Sequence, residues 1–129
     1  MRLVLPAPIL DRLDPVEIAP GVRIRIHRAE PLPFDLDTWA TRVAGPAIVS
    51  TERGHTEAGW PVCLIRTANP TGLFGFFELC DRGVVVVATA DEPAALDGAV
   101  AEIRRLLLAA DIDREPRDVV ALAQIWDAV

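Results

Sequence analysis

The sequence predicts an α+β fold in which an antiparallel β-sheet is sandwiched between helices, and three observations carry that prediction. Strand-length apolar segments follow one another at short turns from residue 47 to residue 90, the pattern of an antiparallel meander. Three of them, "WPVCLIRTA", "LFGFFELC" and "VVVVATA", are apolar at odd and even positions alike, so each has two faces to bury. Segments of helical periodicity stand before and after the meander and supply material to cover those faces. Each such strand has about three side chains on its second face, worth roughly 1.5–3 kcal/mol apiece when buried, so leaving that face in water is disfavoured.

The elements follow in order. Residues 1–15 form an N-terminal arm, because Pro6, Pro8, Pro15 and Pro20 interrupt regular structure and leave only a short strand at "RLVL". In "GVRIRIHR", Val22, Ile24 and Ile26 alternate with Arg23, Arg25 and His27; this is a strand with one dry face, and its charges place it toward the edge of the sheet. Asp35 or Asp37 caps a helix over 36–44 in which Leu36, Trp39, Ala40 and Val43 share a stripe, and Gly45-Pro46 ends it. "AIVSTER" reads as a strand, "GHTEAG" as a loop and "NPTG" as the turn between the next two strands. Asp81-Arg82-Gly83 predicts a tight hairpin with the positive φ at Gly83. Asp91 and Pro93 open a long helix over 92–110, with Leu96, Val100, Ile103, Leu106 or Leu107, and Ala110 on its dry side. "DIDREP" breaks that helix, and Pro116 starts an additional C-terminal helix over 116–127 with Val119, Val120, Ala123 and Trp126 on one stripe. The two C-terminal helices are expected on one sheet face, the short helix and the arm on the other. Any uncovered remainder is a surface for a partner or for self-association.

At 129 residues the chain is the size of a single domain. Its apolar runs fall well short of the roughly 18 residues that span a bilayer, and the reading is a cytoplasmic protein without membrane insertion. A net charge of −6 disfavours nucleic acid as a partner, since counterion release needs a concentration of cations. The thirteen basic residues are all arginine, which fits the coding bias of a GC-rich genome better than a functional demand.

Sequence motifs for chemistry are absent: the chain has no P-loop, dinucleotide fingerprint, nucleophile elbow, CxxC or HExxH. A thiol nucleophile, Cys63 or Cys80 with His55 or His27 as base, is the best enzymatic alternative. Both cysteines sit within strand patterns, and a thiol buried among valine and phenylalanine has a raised pKa and little reactivity. The spacing of His27, His55, Cys63 and Cys80 matches no zinc pattern, so neither a metal nor a cofactor is expected. Asp11, Asp14, Glu17, Asp35 and Asp37 read as caps and solvated residues. Trp39, Trp60 and Trp126 each fall on an apolar stripe and are expected in the core. Arg23, Arg25 and His27 stand apart as a basic stripe in an acidic protein; they are either a solvated strand face paired with carboxylates or the contact for an anionic partner.

The order "EIAPGVRIRIHR", "LDTWATRVAG", "TEAGWPVCLIR", "LFGFFEL", valine strand and "ALDGAVAEIRRLLLAA" resembles the PsbP-like and Ran-binding Mog superfamily over residues 16–110. Bacterial members of that superfamily include DcrB-type domains and chaperones of type VI secretion effectors. The resemblance rests on element order and on "GWPV" at the start of a strand. It implies a PsbP-like α/β/α sandwich and a non-enzymatic role in binding other proteins, and it carries over no site residue. The helix over 116–127 and the lack of an export signal depart from the family pattern and turn the expectation toward a cytoplasmic adaptor or secretion-effector chaperone, with homodimer formation a further expectation. The alternative is a small enzyme or small-ligand binder using a pocket near Cys63, Cys80 and His55.

Overall fold

The computed structural model describes residues 2–4, 15–27, 30–68 and 71–113. In chain order they form β1 (Arg2–Val4), β2 (Val16–Ala19), β3 (Val22–Ile26), β4 (Glu30–Pro31), α1 (Leu36–Ala44), β5 (Ile48–His55), β6 (Pro61–Ala68), β7 (Thr71–Leu79), β8 (Arg82–Ala90), α2 (Pro93–Leu108) and β9 (Asp111–Asp113). The main sheet has the order β2-β3-β8-β7-β6-β5 with every neighbour antiparallel, and β4 continues along β8 past the end of β3. The α+β class and the antiparallel sheet are as the sequence predicts.

Strand parity sorts the core. Val84, Val86 and Ala88 of β8, Val62 and Leu64 of β6, and Leu73, Phe77 and Leu79 of β7 join Val22, Ile24 and Ile26 in one cluster with Leu96, Ile103 and Leu107 of α2. The intervening Val85, Cys63, Ile65 and Phe76 form a second cluster with Trp39 and Ala40 of α1. The four-valine run is therefore shared between two apolar layers, one on each face of the sheet.

Each helix docks where a strand lacks a side chain. A Cβ added at Gly83 would lie 2.7 Å from Trp39 Cη2 and 2.8 Å from Leu32 Cδ1, so the indole rests directly on the backbone of β8. On the other face, a Cβ at Gly75 would lie 3.1 Å from Leu107 Cδ1. Close backbone approach of this kind is a recognised use of glycine within a strand.

Several expectations are corrected. Just beyond the arm over 1–15, residues 16–19, for which no separate strand is expected, form β2 as an edge strand, so the arginine strand β3 lies one place in from that edge. The Pro20-Gly21 step was the available signal for this hairpin, with Gly21 at φ 73°. Strand β5 runs on through His55, shortening the expected loop to residues 56–60. In the β7–β8 hairpin, Leu79 pairs with Arg82, so Cys80 and Asp81 are the two turn residues and Cys80, not Gly83, has the positive φ of 61°. Val43 faces solvent at 49 % exposure, because nine residues of helix present only Leu36, Trp39, Ala40 and Ala44 to the sheet. Asp91 does not cap α2; Glu92 holds that position without a side-chain bond, and Pro93 opens the first turn. The "DID" after α2 forms β9, and the "RLVL" segment pairs with it as β1 in a small separate sheet. The expected helix over 116–127, Trp126 included, lies outside the described residues, as does the arm over 5–14.

Candidate functional site

The stripe of Arg23, Arg25 and His27 is built by β3. With Val22, Ile24 and Ile26 buried, strand alternation sends the three polar side chains to the opposite face, where all are exposed. Pairing with β8 then fixes their neighbours: Arg23 lies opposite Thr89, Arg25 opposite Val87, and the His27 amide donates to the Val85 carbonyl at 2.7 Å. One strand further, Val87 lies opposite Phe74 and Thr89 opposite Gly72.

This face carries α1, but α1 is short. It covers the row through His27, where Val85 and Phe76 are buried beneath Trp39, whose ring meets Phe76 edge-on with centroids 5.4 Å apart. In the next row Val87 and Phe74 are only half-buried, and in the row after that Thr89 is exposed. The result is a groove of about 230 Å³ lined by Arg23, Arg25, His27, Val87 and Thr89, with Pro15 at its margin.

Electrostatically the groove is cationic but not isolated. Arg23 bonds Asp91 Oδ1 at 2.8 Å, with both side chains largely in water, and Glu17 lies opposite Arg23 across the β2–β3 ladder. Burial, reinforced by the neighbouring Arg25 charge, lowers the pKa of His27 below the ordinary imidazole value. The sequence reading named Arg23, Arg25 and His27; it missed Val87 and Thr89, which reach the groove only through strand register, Phe74 opposite Val87, and Asp91, which bonds Arg23.

The residues of the enzymatic alternative are not gathered. Cys63 is 1 % exposed on the α1 face of β6, and burial together with Asp37 pushes its thiol pKa up, with Arg53 opposing. Cys80, expected in the core, is exposed because it occupies the β7–β8 turn and not the strand. His55 is exposed and borders an open depression of about 370 Å³ at the start of α1, together with Asp35, Asp37 and Arg53; neither cysteine lines it. There Arg53 Nε lies 3.1 Å from Asp37 Oδ2, and Asp35 caps α1 through the Thr38 amide; the Thr38 side chain, with that amide, holds the Asp35 carboxyl below the usual pKa. Among the described residues no group of three or more His, Cys, Asp or Glu side chains could hold a metal ion.

A smaller cleft of about 130 Å³ on the other face, between α2 and the outer strands, is bordered by Arg66 and Arg104. Both are committed to carboxylates: Arg66 to Asp97, and Arg104 bidentately to Glu52 at 2.5 and 2.9 Å. No helix among the described residues is long and apolar enough to cross a membrane. No known protein family, curated protein or solved structure matches the chain.

Proposed function

We propose that this domain binds another protein, as an adaptor or secretion-effector chaperone, and does not itself catalyse a reaction. The observation that carries the reading is the partly covered sheet face: apolar Val87 and Phe74 remain half-buried beside the exposed arginine stripe of β3. A surface with an apolar floor and a charged rim is the anatomy of a protein contact. The fold belongs to the same reading: helices docked on both faces of an antiparallel sheet agree with a PsbP-like α/β/α sandwich, whose resemblance implies protein-binding members. A cytoplasmic location and self-association complete it.

The test is co-purification from the native cell, identification of the partner, and reconstitution from the two purified proteins by calorimetry. The expected result is saturable binding at fixed stoichiometry with a dissociation constant in the micromolar range or tighter. Thiol reactivity separates this from the enzymatic alternative: a mild alkylating reagent should modify Cys80 in the native protein and leave Cys63 untouched. Rapid native labelling of Cys63, with loss of a measurable turnover, would replace the protein-binding reading with the enzymatic one.

A further inference from the structure

We infer that the groove over β3 and β8 takes an extended acidic segment of a partner protein carrying one large apolar residue. The inference rests on the protein-binding reading and adds the chemistry of the partner.

The geometry is that of a one-sided recognition strip. Arg23 and Arg25 of β3 and His27, the residue that follows it, occupy alternate positions, so their side chains project in one row about 13 Å long. Carboxylates of a second extended chain repeat at the same spacing along one face. Beside the middle member of the row lies Val87, and beyond it Phe74, stacked on Phe76 with centroids 5.8 Å apart. The floor next to the charges is thus apolar and still half open. Its volume of about 230 Å³ falls below the roughly 300–1,000 Å³ of small-molecule sites and suits a single large side chain.

Charge selects the partner's sign and class. The chain as a whole carries −6, so this row is a local exception that attracts a short acidic stretch, while the overall field repels a polyanion such as nucleic acid. The ion pair of Arg23 with Asp91 does not block this. The Arg23–Asp91 pair is exposed on both sides, and ion pairs of that kind are weak enough to exchange for a partner's carboxylate.

The test uses fluorescein-labelled peptides Glu-Ala-Glu-Leu-Glu-Ala-Glu, its leucine-to-serine counterpart and the lysine analogue Lys-Ala-Lys-Leu-Lys-Ala-Lys, together with short oligo-dT, titrated with the full chain. Wild type is expected to bind the acidic peptide more tightly than the other three probes, with the affinity falling as salt rises from about 0.05 M to about 0.5 M. The double variant Arg23→Glu/Arg25→Glu should lose at least tenfold for the acidic peptide and gain for the lysine peptide. That reciprocal gain separates a local charge effect from misfolding, and Arg53→Glu, outside the groove, should leave acidic-peptide binding unchanged. Equal binding of acidic and lysine peptides, tighter binding of oligo-dT, no binding of the acidic peptide, or indifference to the double variant would each overturn the assignment. A co-purified partner that binds wild type and the double variant alike overturns the groove assignment alone. Groove-dependent binding of the acidic peptide with no partner protein recovered removes the adaptor reading alone.

Discussion

Cys80 adopts φ 61° in a two-residue turn, a conformation that costs a non-glycine L-residue about 1–2 kcal/mol. A positive φ at the first turn position is where type II′ hairpins favour glycine. Cys80→Gly should therefore raise stability by about 0.5–1 kcal/mol once the greater freedom of glycine in the unfolded chain is subtracted, read as a higher denaturant midpoint at unchanged slope. A lower midpoint would mean that the turn is not strained. His27 carries a pH prediction. Its folded-state pKa lies below the ordinary imidazole value through burial and the Arg25 charge, so the unfolded chain takes up the proton first. The His27 contribution is complete above about pH 6.5 and is lost as the pH falls below it. The Glu52 carboxyl, held low by its bond to Arg104, titrates in a more acidic window, so His27→Gln should flatten the loss of stability between about pH 7 and 5.5. At this scale the alternation of β3 was legible, because a period of two is a local property. The exposure of Cys80 was not: it turns on a hairpin register one residue away from the one that Asp81-Arg82-Gly83 suggested.

At the scale of elements, the two helices were readable from periodicity and caps, and the observed Leu36–Ala44 and Pro93–Leu108 lie close to the expected spans. What periodicity could not supply is which strand position each helix sits on. Trp39 over Gly83 and Leu107 over Gly75 make the two glycines sockets, and the same substitution should have different consequences at different glycines. Gly83→Ala is expected to cost about 1–3 kcal/mol, because its Cβ would strike the buried Trp39 indole at 2.7 Å and Leu32 Cδ1 at 2.8 Å. Gly75→Ala should cost less, since its Cβ would lie 3.1 Å from both Leu107 Cδ1 and Phe77 Cε2, which need give by only a few tenths of an ångström, against 2.7 Å at Gly83. Gly98→Ala, in the exposed interior of α2 with nothing near the added methyl, should instead stabilise by about 0.5–1 kcal/mol. Denaturant midpoints of the three variants, measured side by side, check the order; a destabilised Gly98→Ala or a neutral Gly83→Ala contradicts it.

Over the whole molecule, the question is how completely two apolar faces are covered by two helices of unequal length. α2, with sixteen residues, buries Leu96, Ile103 and Leu107 in one cluster with residues of β3, β6, β7 and β8; α1, with nine, leaves Val87 and Phe74 half-buried. This imbalance creates the groove. Trp39→Ala should therefore do more than remove a core side chain: by loosening α1 it should expose the buried Cys63, raising its alkylation rate along with a stability loss of about 3–5 kcal/mol. A Cys63 that stays inert in the folded variant would show that α1 is held by other contacts. The apolar character of the strands on both faces, the alternation of β3, and the approximate spans of α1 and α2 were determined by the sequence alone, because each is written within a few consecutive residues. The placement of β2 and β9, the coming together of Arg25, Val87 and Phe74 in one row, and the choice of Gly83 as the seat of Trp39 were decided only by the tertiary structure. They depend on the register between strands distant along the chain, which is set by the packing of the whole sheet and by no local pattern.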